Sequence, residues 1–223
     1  KTQVLTNENG ELLVNVSPKD ARKFKATGLV RYSDFGARGD GKTDDIDAIA
    51  AAHAFANQHD LLVKADDGAT YYIGGKERTA VIRTDTDFGT AAFIIDDTEV
   101  KNRSASVFMV SSSLQPFKLE AVSSLRRNQE KIDVKLPGTC LITVTNSHVK
   151  HYIRFGLNQD NGSLQTDIFV GDKNGNLDMD APIIWDFDQI TDVTALPINE
   201  KKLNITGGRF TTIANKAESK YTY

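Results

Sequence analysis

Tyr32-Ser33-Asp34-Phe35-Gly36-Ala37-Arg38-Gly39-Asp40-Gly41-Lys42-Thr43-Asp44-Asp45-Ile46-Asp47-Ala48-Ile49 is the stretch on which the fold turns. Its middle, Gly36 to Thr43, satisfies the phosphate-loop pattern G-x-x-x-x-G-K-[ST] between a candidate strand, Leu29 to Tyr32, and a candidate helix. Downstream, Phe93-Ile94-Ile95-Asp96-Asp97 imitates the apolar strand ending in acid that would hold magnesium in a P-loop NTPase. The charges oppose that chemistry. Asp40 lies inside the loop and Asp44 and Asp45 follow it, where a bound phosphate would need the amides and helix dipole for itself. Two like charges ~5 Å apart repel by about 3 kcal/mol at an effective dielectric near 20. The same acids favour a helix start that has no anionic ligand. That helix is expected over about 44–58, where Ile49, Ala52 and Ala56 recur at i, i+3 and i+7, with Ile46 and His53 flanking them and Thr43 or Asp44 as cap.

Taken whole, the string closely resembles the DFGAxGDGxTDDxxAI opening of pectate-lyase-like proteins, which are right-handed parallel β-helices. Gly68-Ala69-Thr70-Tyr71-Tyr72-Ile73 is similar to the family's G-T-Y strand, and Leu203-Asn204-Ile205-Thr206-Gly207-Gly208 looks like the start of a further coil. The resemblance covers 30–75 strongly and 76–112 and 200–213 weakly. It implies that the helix caps the first coil, covered by Ile49 and Ala52, and that Gly36, Gly39 and Gly41 serve tight turns while Asp34, Asp40 and Asp44 bind backbone amides.

The rest of the chain is read outward from that stretch. Residues 1–30 form a hairpin around Asn9-Gly10 and a short helix with Ser17 as cap, Pro18 at its first position and Asp20 in its first turn. Residues 31–110 hold the capping helix and first coils, with short strands at Leu61–Lys64, Thr70–Ile73, Ala80–Arg83, Ala91–Ile95 and Ser106–Val110. No helices alternate with these strands, which argues against an ordinary α/β domain. Residues 111–197 read as an inserted antiparallel β subdomain. Ile132, Val134 and Leu136 form one face of a run, Cys140, Ile142 and Val144 another, and Asn161-Gly162 and Asn174-Gly175 sit at hairpin turns. Residues 198–223 return to a coil. The expected class is mainly β: a right-handed parallel β-helix start, an N-terminal capping helix and this insert. With so few coils an open last strand would expose backbone, so either further coils or an oligomer contact is expected over that end.

Composition narrows the function classes. The 223 residues carry 27 Lys+Arg against 30 Asp+Glu, a net charge of −3, so no bulk footprint for nucleic acid is present. No apolar run approaches the ~20 residues of a membrane span. A single cysteine, Cys140, excludes an intrachain disulfide.

Candidate chemistry lies in acid pairs, because polysaccharide cleavage uses two carboxylates, or acids holding calcium beside a base. The pairs are Asp85 and Asp87, Asp96 and Asp97, Asp178 and Asp180, and Asp186 and Asp188, the last beside Trp185, whose ring suits a sugar. On a strand the i, i+2 pairs share a face and Asp96 and Asp97 do not. His148 and His151, three apart, fall on opposite faces of a regular strand, so joint metal ligation needs a bulge. His53 is expected to pack beside the helix stripe and His59 to lie at the surface. Asp172-Lys173-Asn174-Gly175-Asn176-Leu177 begins like a calcium loop but has Leu177 where glycine is needed, and reads as a turn. Arg38-Gly39-Asp40 spells an adhesion tripeptide inside the capping turn. Catalytic and metal-binding residues stay unassigned, no organic cofactor is called for, and calcium is the one ion left open. The resemblance implies an extracellular or periplasmic carbohydrate-active protein, a polysaccharide lyase or glycoside hydrolase; the alternatives are a non-catalytic glycan-binding or tailspike-like module, and the P-loop NTPase.

Overall fold

The computed structural model describes residues 3–6, 12–102, 104–151 and 162–215. The chain divides into two compact units, Lys1–Ser111 with Leu203–Tyr223, and Ser112–Lys202.

The first unit opens with β1 (Gln3–Thr6) antiparallel to β2 (Leu12–Asn15). The expected Asn9-Gly10 turn lies outside the described residues. Helix α1 (Pro18–Thr27) starts as its sequence directs: the Ser17 hydroxyl accepts the Asp20 N–H at 3.1 Å and Pro18 takes the first position. After it come β3 (Leu29–Arg31), a 3-10 turn over 32–35, β4 (Asp40–Asp44) and α2 (Ile46–His59). Then follow β5 (Leu62–Lys64), β6 (Thr70–Gly74), β7 (Ala80–Ile82), β8 (Thr86–Asp87), β9 (Ala92–Asp96) and β10 (Phe108–Val110).

The second unit holds β11 (Phe117–Lys118), β12 (Cys140–His151), β13 (Ser163–Gly171) and β14 (Asp192–Pro197), after which β15 (Ile205–Thr206) and β16 (Arg209–Ile213) rejoin the first.

Every ladder described in the first unit beyond β1 and β2 is parallel, and each of these sheets adds its strands in chain order. One sheet runs β3, β5, β8, β15; a second runs β4, β6, β9, β16; the third pairs β7 with β10. Inward positions therefore line up from strand to strand. Tyr71, Phe93 and Phe210 occupy matched positions on β6, β9 and β16, and the Phe93 and Phe210 rings stack at 4.7 Å and 10°. Phe93 is fully buried, whereas Phe210 is 44% exposed because no described strand follows β16.

Helix α2 buries Ile46, Ile49, Ala52, His53, Phe55 and Ala56 in the same core. It begins two residues later than the sequence periodicity indicates, because Thr43 and Asp44 are spent on β4. Asp45, not Thr43 or Asp44, stands at the N-cap, and its side chain turns back to the preceding loop instead of capping the helix. Asp44 accepts the Ile46 N–H at 3.1 Å.

Among its described residues the second unit forms one antiparallel sheet, β11-β14-β12-β13, over a core that includes Leu125, Cys140, Ile142, Val144, Phe169, Ile183 and Phe187. It reaches Lys202, past the expected boundary at 197, because the Ile198 N–H donates to Thr139 O at 2.9 Å and Ser112 Oγ bonds Asn199 Oδ1 at 2.6 Å. Residues 132–136 are not a strand of this sheet. Ile132 and Leu136 are buried, but their N–H groups donate to Gly175 O and Lys173 O, so the run clasps a turn instead of joining a ladder. That turn is closed by Asp172, whose Oδ1 accepts the N–H groups of Asn174 and Asn176 at 2.8 and 2.9 Å. Asn161 lies outside the described residues.

Candidate functional site

The glycine-rich loop comes first because its sequence promised phosphate. Its amides are already engaged by the chain's own carboxylates. Asp40 Oδ1 accepts the N–H groups of Lys42 (2.9 Å) and Thr43 (2.8 Å), and Oδ2 accepts the Thr43 hydroxyl (2.9 Å). Asp45 accepts the N–H groups of Arg38 (2.8 Å) and Gly39 (3.0 Å) through its two oxygens. The bonds from Thr43 and Lys42 hold the Asp40 carboxyl down at about 2, whereas burial of Asp45 outweighs its two amide bonds and pushes its carboxyl up. Gly39 sits at φ +62, where an added Cβ would come within 2.8 Å of the Ala69 Cβ, so the tripeptide Arg38-Gly39-Asp40 is packed at its glycine while Arg38 and Asp40 stay exposed. Asp96, at the end of the apolar run on β9, accepts the Tyr72 hydroxyl at 2.8 Å and both the N–H and hydroxyl of Thr98.

The other acid pairs also bind backbone. Asp85 accepts the Asn204 N–H at 2.9 Å, and Asp87 accepts the Gly89 N–H at 2.9 Å while lying 3.6 Å from the Lys64 ammonium. Asp178 and Asp180 fall in a turn, not on a strand, with Asp178 accepting the Asp180 N–H at 3.0 Å. Asp186 accepts the Arg127 N–H at 2.8 Å, and Asp188 pairs with the Arg126 guanidinium at the surface. Neither lies on a named strand, so face parity does not apply to them.

His53 is fully buried, with Nε2 2.9 Å from the Tyr32 hydroxyl and Nδ1 without a partner among the described residues. Burial pushes it down to about 3. His59 leans on the Phe55 ring at 4.5 Å. The ladder between β12 and β13 shifts register between Asn146 and Lys150, so the bulge that joint use of His148 and His151 would need is present. The backbone N–H of His148 donates to Asn146 Oδ1, and the His151 ring stacks on Trp185 at 4.5 Å and 23°. Among the described residues no group of three or more His, Cys, Asp or Glu is placed to hold a metal ion. Nor is any described helix long and apolar enough to cross a membrane.

Two features escape a reading of the sequence. The first is the setting of Trp185, which is 40% exposed. Gln165 and Asp167 on β13 point inward and are buried, while Leu164 and Ile168 on either side of the pair face out. Alternation alone suggests the opposite orientation. The buried polar pair grips the Trp185 loop: Asp167 Oδ2 accepts the Ile184 N–H at 2.8 Å, and Gln165 Nε2 donates to Asp186 O at 3.0 Å. The second is an open groove of about 510 Å³ lined by Lys131, Asp133, Val134, Lys135, Asn174 and Asn176. It exists because residues 131–136 clasp the Asp172–Asn176 turn, a long-range pairing with no local signal.

Compared with protein-family models and with curated proteins, the chain matches none.

Proposed function

We propose that the protein is an extracellular or periplasmic glycan-binding module built on a right-handed parallel β-helix of the pectate-lyase-like kind. The observation that carries this reading is the chain-order growth of three parallel sheets beside a helix that follows the Gly36–Thr43 motif. In this reading α2 covers the first coil, the second unit is an insert between coils, and a further coil or a second copy covers Ile205, Phe210 and Ile213. Binding is favoured over cleavage because Asp85, Asp87, Asp96, Asp178 and Asp186 each accept backbone N–H groups, which gives these carboxylates a structural use. A P-loop NTPase is disfavoured on the same ground, its amides being donated to Asp40 and Asp45.

Incubation with a panel of polysaccharides tests the reading. Retention on at least one polymer, with no new reducing ends and no unsaturated uronates, is the expected result. Product release would restore the lyase or hydrolase, and failure to be retained on any polymer would remove the glycan reading.

A further inference from the structure

Trp185 is exposed, yet the chain is held on both sides of it. Hydrogen bonds reach the chain at both residues before it and both after it. Ile183 O accepts from the Asn128 N–H at 2.9 Å, and the Ile184 N–H donates to Asp167. Asp186 O accepts from Gln165, Asp186 Oδ1 from the Arg127 N–H, and Phe187 exchanges two backbone bonds with Leu125 at 2.8 and 2.9 Å. Ile183 and Phe187 are fully buried, so the loop is plugged into the core on either side of the exposed ring. His151 lies against one face of that ring, and the exposed surface is what remains.

Such an arrangement runs against stability. Gln165 and Asp167 occupy inward positions of β13 beside Phe169, where apolar side chains would bury area at no desolvation cost. Polar groups placed there to fix an exposed tryptophan are a device for presenting it, since a pre-ordered ring loses little entropy on binding. His151 Nε2 adds a buried polar atom with no partner among the described residues, next to the indole.

We infer that Trp185, braced by His151, is a stacking platform for a pyranose ring of a polysaccharide. The sugar lays its C–H face on the exposed part of the indole, which His151 backs from the other side. This assignment rests on the glycan-binding reading above and places its contact in the second unit.

Trp185 is the single tryptophan of the chain, so its emission reports on this ring alone. The whole protein is titrated with soluble β-glucan, galactomannan, xylan and polygalacturonate, while retention on the same polymers is measured separately. With a polymer that retains the protein, Trp185 emission is expected to shift to the blue and acrylamide quenching to fall about twofold as the ring leaves water. Trp185→Ala is expected to weaken retention by about tenfold and Trp185→Phe by less, in keeping with ring stacking. Retention with unchanged Trp185 emission overturns the platform and leaves the glycan-binding reading standing, whether or not the alanine variant folds. Absence of retention on every polymer overturns both.

Discussion

The carboxylate of Asp45 accepts the backbone N–H of Gly39 at 3.0 Å, so the helix N-cap residue reaches back and holds the loop that precedes it. A phosphate bound in that loop would compete for this amide. Millimolar ATP or GTP with magnesium is therefore expected to leave the melting temperature unchanged, whereas a ligand with Kd of about 10 μM would add about 2.7 kcal/mol at about 1 mM. A reproducible rise would show that the loop exchanges its carboxylates for nucleotide.

Removing the same carboxylate is expected to be costly. Asp45→Ala strips the Arg38 and Gly39 N–H groups of their acceptor at a buried position, a loss of about 2–4 kcal/mol in urea unfolding. Asp45→Asn keeps one oxygen acceptor and should recover part of it. A neutral alanine variant would mean that water satisfies these amides.

His53 makes stability depend on acidity. Its imidazole titrates near 6.5 in the unfolded chain and is pushed down to about 3 by burial, so folding selects the neutral form. The contribution is complete above the unfolded value and is lost as pH falls from about 6.5 towards 3, amounting to about 2 kcal/mol by about pH 5. His53→Gln, which keeps a partner for the Tyr32 hydroxyl, should flatten this limb of the stability profile. An unchanged slope between about pH 7 and 5 would assign it to other groups.

The stacked rings predict a gradient. Phe93→Ala is expected to cost about 3–5 kcal/mol, and Phe210→Ala about 1–2, because only Phe93 has a described strand on each side. Equal costs would show that Phe210 is covered in solution.

Gly175 tests the clasp in the second unit. It sits at φ +80, and an added Cβ would fall 2.2 Å from Ile132 O and 2.8 Å from Val134 O. Gly175→Ala is expected to destabilise that unit by about 3 kcal/mol or more, read by unfolding monitored through Trp185. A small effect would mean that residues 132–136 can move aside freely.

The parts of this fold that were legible in the sequence are those with local causes. Ser17 and Pro18 announce α1, the spacing of Ile49, Ala52 and Ala56 announces α2, and β5, β6, β7 and β9 fall within a residue of their apolar runs. Strand β8 was invisible because two residues carry no period, and it exists only through the parallel neighbours β5 and β15. Asp45 could not be told from Asp44 as the helix cap, since both are acids in one run and only the loop's return decides between them. At the candidate site Trp185 stands out by its neighbouring acids, while Gln165 and Asp167, which position it, carry no local mark of burial. Their burial depends on the loop at Ile184 and Asp186, close to twenty residues away and without local signal.

The bond between Ser112 and Asn199 bears on how the chain assembles. The pairing of Thr86 with Ile205 spans the whole intervening segment, and closing a floppy loop of about 90 residues would cost about 4 kcal/mol of entropy before any ladder bond formed. If the second unit folds on its own core first, its two ends are already tied together, and to the rest of the chain a long detour becomes a short stitch. The arrival of β15 and β16 is then a late, nearly local event. Mutations that loosen the Ser112–Asn199 join would slow that last step while leaving the earlier sheets intact.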